Sequence, residues 1–271
     1  MKNASQPKPP KRKPRLTRRG RVLLVVGSAA VVAAAVLVPV LLLGGDDDAR
    51  PQSLLVPEGW RAPQVYTAVD KALDIASGTT EKAVAKAGLK LPGEAGSNPE
   101  GFLFPATYPV DEKTTPASLL SFMVNTADKK FGTAPTVYRT VTIASIVQAE
   151  ADTPEDMGKV ARVVDNRLLR GMPLQMDSTL NYGLGRSTLD TTHEDTRINH
   201  PYNTYERAGL PPTPIGNPGQ EAMDAVRNPP AGDWLYFVTV APGDTRFTDD
   251  YAEQQKNVRE FNANRRSGGS A

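Results

Sequence analysis

The chain has 271 residues, 39% hydrophobic and 23% charged, so its composition is that of a globular protein able to bury one or two modest cores. Without Cys it has no disulfide framework, thiol nucleophile or lipidated N-terminal Cys, and His193 and His200 alone leave little room for a metal site, so no metal or other cofactor is expected. The net charge of +2 hides an asymmetry: residues 1–21 carry nine Lys/Arg and no acid, leaving 23 basic against 30 acidic residues, a balance that argues against nucleic acid as a partner.

Residues 22–43 contain no charge, and 22 positions in a helix would reach roughly 33 Å, enough for a bilayer core of about 30 Å. The cations before this run and the acids Asp46 to Asp48 after it predict a single span, with a cytoplasmic tail over 1–21 and the body outside the membrane. A cleaved signal peptide fits less well, because its apolar core is normally about 7 to 15 residues and ends at a small-residue cleavage site.

After a polar linker over 44–52, Leu54 to Val56 reads as a brief strand ended by Pro57 and Gly59, and Val65, Val69 and Leu73 pattern a helix. Gly88 to Pro99 reads as a loop or boundary. Helices are expected over 116–130, ended by Gly132, and over 136–151. Thr153-Pro154-Glu155-Asp156 begins another, with Thr153 as N-cap, and Gly171 closes it in a left-handed cap position. Residues 172–218, rich in Gly, Pro, Asn, Thr and Tyr, read as binding loops. A short helix over 220–227, a strand over 234–240 with a hairpin partner over 246–248, and a terminal helix over 251–264 complete an α+β body.

No nucleophile elbow or phosphate loop occurs, and Ser145 has no His near it in sequence, which leaves acid/base chemistry by carboxylate. Ile143 and Val147 are spaced i and i+4, and the next place on that apolar stripe is Glu150. Apolar surroundings would raise its pKa and let it hold a proton near neutrality. Periodicity alone leaves open the plainer reading, a Glu facing solvent at a helix end. Asp152 and Asp177 are candidate second acids if the chemistry is hydrolytic, with the helix cap and a loop as their structural alternatives.

The order of motifs carries the argument further. In sequence they are Pro99-Glu-Gly-Phe-Leu-Phe-Pro-Ala-Thr-Tyr108, Ala144-Ser-Ile-Val-Gln-Ala-Glu150, Asn166-Arg-Leu-Leu-Arg-Gly-Met-Pro-Leu-Gln175, Thr179-Leu-Asn-Tyr-Gly183, Pro201-Tyr-Asn-Thr-Tyr205, Gly209-Leu-Pro-Pro212, Asn217-Pro-Gly219 and Leu235-Tyr-Phe-Val238. Together, over roughly residues 54–264, this resembles the YceG-like family of endolytic murein transglycosylases. The resemblance implies a short LysM-like remnant over 53–98, a catalytic domain over 99–264 and a flexible tail over 265–271. It implies Glu150 as the catalytic acid, with Gln148 where relatives often have another acid.

The implied reaction cuts the β-1,4 bond between N-acetylmuramic acid and N-acetylglucosamine in nascent peptidoglycan glycan strands, leaving a 1,6-anhydro ring and consuming no water. The implied partners are the glycan strands, with penicillin-binding proteins or other cell-wall synthases as candidates. Gln175, Thr179, Tyr182, Tyr202, Asn203 and Tyr205 fall in family motifs and are candidate substrate-binding residues, with bonding to nearby backbone as the structural alternative. The chain departs from the family at Ala106, Thr245, Gln254 and Gln255. The rival from another class is a membrane-anchored scaffold that binds peptidoglycan without cutting it.

Overall fold

The structure, a computed structural model, describes residues 52–187 and 191–268, without the side chains of 267 and 268. The basic tail and the expected membrane helix over 22–43 lie outside the described residues, and no described helix is long and apolar enough to cross a membrane.

Strand β1 (Gln52–Leu55) pairs antiparallel with β2 (Thr107–Val110), setting Leu54 opposite Tyr108. Alternation puts Leu54, Tyr108 and Val110 on one buried face. Helix α1 (Ala62–Ala72) covers that face with Ala62, Val65, Tyr66 and Val69, an i, i+3, i+4, i+7 stripe, and the short α2 (Thr79–Val84) follows. Glu100, 2% exposed, accepts the Ala62 N–H through both oxygens at 3.0 and 3.1 Å, so a remote carboxylate satisfies a free amide in the first turn of α1.

Helix α3 (Pro116–Phe131) starts at Thr115, whose hydroxyl accepts the Ser118 N–H at 3.1 Å while Ser118 Oγ accepts the Thr115 N–H at 3.0 Å. Its first half, Leu119, Leu120, Met123 and Val124, belongs to the small core with β1, β2 and α1; Ala127 and Phe131 belong to a larger one. Phe102-Leu103-Phe104 does the same in three residues, with Leu103 turned to the small core and both Phe side chains to the large core. Packing is therefore continuous across residue 98, where the sequence suggested a boundary.

The large core is built on α4 (Val137–Glu150), α5 (Pro154–Leu169) and α7 (Gln220–Arg227). Thr153 Oγ1 accepts the Asp156 N–H at 3.2 Å at the start of α5. At its end Gly171 adopts φ 64°, with the Met172 and Gly171 amides donating to the carbonyls of Arg167 and Leu168 at 2.8 and 3.2 Å. Strands β3 (Tyr236–Ala241) and β4 (Asp244–Thr248) form the expected hairpin, and α8 (Tyr251–Gly268) runs past the expected end at 264.

Three elements differ from the sequence expectation: α2, β2, and α6 (Asp177–Gly183), which lies in the stretch read as loops. Each is seven residues or shorter, too brief to display a period, and each depends on distant partners. Thr179, Leu180 and Asn181 of α6, for example, are all buried.

Asn217, fully buried, joins the two cores. Its Nδ2 donates to Trp60 O at 2.7 Å, its Oδ1 accepts the Leu103 N–H at 2.8 Å, and its backbone exchanges bonds with Trp60 O and the Gly59 N–H, both at 2.8 Å. Gly101 at φ 87° lies in the same region, where a Cβ would meet Pro214 at 2.6 Å. Asn217→Ala should leave the buried Leu103 N–H unpaired, while Trp60 O keeps the backbone N–H of residue 217, and lower unfolding free energy in urea by about 1–3 kcal/mol.

Candidate active site

Helix α4 is buried along Val141 to Val147, and its polar side chains each have a task. Ser145 Oγ donates to Thr142 O at 2.8 Å and accepts the Ile215 N–H at 3.0 Å, so its hydroxyl is engaged in structure. Gln148 Oε1 accepts the Gly219 N–H at 2.8 Å. The residue standing where relatives often carry a second acid thus fastens a loop.

Glu150 ends the helix. It is half-buried: protein packs densely round its carboxyl while one side opens to two clefts. One, of about 240 Å³, is lined by Gly59, Arg61, Ala149, Asp177, Ser178, Asn181, Ser187 and Ile215 with Glu150. The other, of about 660 Å³, also reaches Glu150 and Asp177, and runs between the β3–β4 hairpin and α8 past Tyr205, Gln175, Tyr236, Tyr251 and Gln254. Ser178, in the first turn of α6, donates from Oγ to Glu150 Oε1 at 2.6 Å.

Burial pushes the Glu150 carboxyl above its ordinary value, Ser178 pulls it back, and the charge of neighbouring Asp177 raises it again. Asp177 is itself held by the Tyr205 hydroxyl, which donates to Oδ1 at 2.6 Å. Burial and that contact raise the Tyr205 phenol. A carboxyl whose pKa is raised by burial, beside an open cleft, is suited to give a proton to a leaving oxygen and then, as carboxylate, take one back.

Arg167, buried at the end of α5, fixes the wall of the larger cleft. It donates to the carbonyls of Leu235 and Leu174, both at 2.6 Å, and of Pro173 at 3.2 Å, and reaches Gln175 Oε1 at 3.4 Å. Gln175 takes a left-handed φ of 52°, with its N–H on Thr204 O at 2.9 Å, and leads the chain into Asp177.

Of the residues singled out in the sequence, Glu150, Asp177, Gln175 and Tyr205 come together along the larger cleft. Thr179 and Asn203 lie inside the protein. Thr179 Oγ1 donates to Met176 O at 2.7 Å and lies 2.9 Å from Thr204 Oγ1, while the Asn203 amide donates to the carbonyls of Thr196 and Ile198 at 3.0 and 2.8 Å. Tyr182 and Tyr202 are half-buried, their rings 5.1 Å apart; the hydroxyl of Tyr182 donates to Glu100 at 3.0 Å, and that of Tyr202 lies 2.7 Å from Thr213 Oγ1. Their polar groups brace the loops that frame the site.

Among the residues at the clefts, Arg61, Ser178 and Tyr251 carried no functional signal in the sequence. Among the family departures, Gln254 lines the larger cleft and donates to Phe237 O at 3.0 Å, Thr245 pairs with Thr239 across the hairpin, and Ala106 receives the Val56 N–H on its carbonyl.

Comparison with known proteins is consistent along the body. The YceG-like family model matches residues 32–260. An endolytic murein transglycosylase of Bacillus subtilis (strain 168) is 36% identical over 166 residues, covering 58% of this chain and 46% of the relative. One from Streptococcus pneumoniae serotype 2 (strain D39) is 37% identical over 175 residues, covering 59% and 32% respectively. The chain therefore spans less than half the length of these curated relatives. A crystal structure of a yceG-like protein from Listeria monocytogenes superposes with a TM-score of 0.67 at 28% identity, over 77% of this chain and 76% of that one.

Glu150 gives the site a pH signature. Its folded-state pKa lies above the ordinary 4.5, so the stability it contributes is complete below that value and is lost as pH rises through the folded pKa. Glu150→Gln should accordingly melt higher than the parent at pH 8 and show little gain at pH 4, with each kcal/mol of relief worth roughly 2–4 °C. Equal melting shifts at both pH values would contradict the raised pKa.

Proposed function

The chain belongs to the YceG-like family, and we propose that it is a membrane-anchored endolytic lytic transglycosylase that cuts the β-1,4 bond between N-acetylmuramic acid and N-acetylglucosamine within nascent glycan strands. The observation that carries this reading is Glu150: a carboxyl whose burial raises its pKa, hydrogen-bonded by Ser178, where two clefts meet. The names of the Bacillus and Streptococcus relatives support it.

Protonated Glu150 gives its proton to the glycosidic oxygen as the C1–O bond breaks. The carboxylate so formed takes the proton of the muramoyl C6 hydroxyl, whose oxygen closes on C1 as a 1,6-anhydro ring. Because the nucleophile belongs to the sugar, one carboxyl serves in turn as acid and base, unlike the two-carboxyl arrangement of ordinary glycosidases. The uncharged run over 22–43 with nine cations before it supports an anchor with a cytoplasmic N-terminus, which would hold the body on nascent strands outside the membrane. There it limits strand length, beside penicillin-binding proteins or other cell-wall synthases.

Incubation of uncrosslinked strands with the full-length chain in detergent, followed by mass spectrometry, tests the reaction. Internal cuts ending in 1,6-anhydro-muramic acid are expected, with Glu150→Gln reducing their rate about 10²–10⁴-fold while binding persists. Reducing ends would instead assign a hydrolase using Asp177 beside Glu150. Strand binding without any product would make the chain a scaffold.

A further inference from the structure

Arg61 sits where the chain enters α1, and its side chain lines the smaller cleft with Glu150, Asp177 and Ser178. Its guanidinium lies over the Tyr182 ring, 5.0 Å from the centroid. Among the described residues it has neither an ion pair nor a side-chain hydrogen bond: its N–H donates to Gln64 Oε1 and its carbonyl accepts the Gln64 and Val65 N–H groups. The contrast with Arg167 on the other side of Glu150, which is held by three carbonyls, is direct.

The carboxylate whose charge acts on Arg61 is Glu100, which lies beyond ion-pair reach and whose oxygens are taken by the Ala62 N–H and the Tyr182 hydroxyl. Burial is the larger influence on the guanidinium and works against its charge. A half-desolvated cation with its fork of donors unused, steadied on an aromatic face, suits a planar carboxylate brought in by a ligand.

On the reading of the chain as a peptidoglycan-cutting enzyme, the two sugars flanking the scissile bond differ in this respect. N-acetylglucosamine carries no acid. N-acetylmuramic acid carries a lactyl group at C3, which is a free carboxylate in strands without stems and an amide to a carboxylate-bearing peptide in strands that keep them. We propose that Arg61 is a specificity residue that binds a carboxylate on the muramoyl unit, so that this sugar occupies the smaller cleft and the departing N-acetylglucosamine the larger. Strand polarity, and with it the choice between the two alternating glycosidic bonds, then depends on one guanidinium.

The test measures binding rather than turnover, with the full-length Glu150→Gln chain in detergent so that ligands are not cut. The probes are chitotetraose, which has no carboxylate, the stem-free N-acetylglucosaminyl-N-acetylmuramyl tetrasaccharide, and the same tetrasaccharide bearing peptide stems. Calorimetry should show one or both muramyl tetrasaccharides binding at least about ten-fold more tightly than chitotetraose. An advantage already present without stems assigns the lactyl carboxylate; one that needs stems assigns the peptide.

Adding Arg61→Gln should abolish that preference, bringing the muramyl tetrasaccharides to the affinity of chitotetraose, and Arg61→Lys should restore part of it. An undiminished preference in Arg61→Gln, or no carboxylate-dependent binding in the parent, overturns the proposal. If Arg61 only braces Tyr182, Arg61→Gln will lower the melting temperature and leave the preference intact. Binding governed by Arg61 in a chain that cuts nothing would retire the enzymatic reading while preserving the carboxylate site.

Discussion

Everything at the site depends on the close approach of the segment around Gly59 and Trp60 to the loop around Asn217. Asn217 uses its amide nitrogen, its amide oxygen and its backbone at once, on Trp60, Leu103 and Gly59. The approach leaves no room for side chains: a Cβ at Gly216 would sit 2.9 Å from Gly59 O, and one at Gly219 would collide with the Glu58 carboxylate. Gly219 is also the residue that Gln148 fastens to α4. Arg61 and Gly59 on one side and Glu150 on the other thus face the same cleft through a short chain of buried amide contacts, with few rotatable groups between them.

Two carboxyl groups are driven upward by burial, and they are put to different uses. Glu100 reaches about 7, but its oxygens are engaged by the Ala62 amide and the Tyr182 hydroxyl, so it serves as a joint between the small core and the loops. Glu150 has one oxygen on Ser178 and an open cleft before it. Burial raises both; what remains free to react distinguishes them.

Much of the body was legible because its signals are local. Thr153 as a cap, Gly171 as a terminator, the helix over 220–227 and the strand after Trp234 follow from residues within a turn of one another, and the structure has all four. Glu150 stood out as a carboxylate on an apolar stripe, but periodicity left a solvent-facing Glu equally open, and the order of motifs singled it out. The strand β2 was not, because its partner lies some fifty residues earlier, and neither was the work of Asn203 or Tyr182, whose motif positions give no account of which carbonyl or carboxylate takes each polar group. Arg61 was the hardest to foresee. Its sequence neighbours mark the start of a helix, and only the fold shows that its guanidinium is left unclaimed beside a carboxyl nearly ninety residues away.

The bond from Asn217 to Trp60 spans 157 residues, and this separation has a kinetic side. Closing so long a loop carries its entropy cost before that bond returns it, so the segment around Trp60, already held in the small core with β2 and α3, is joined to the Asn217 loop late. On a ribosome, the strand and helix that begin the body emerge well before the residue that secures them. Until Asn217 is made, the small core has its apolar face without its clasp, and the two walls of the cleft are not yet opposed. A newly made chain therefore carries Glu150 before the wall around Gly59 and Arg61 is fastened opposite it, and the acid stands without its cleft until that bond forms.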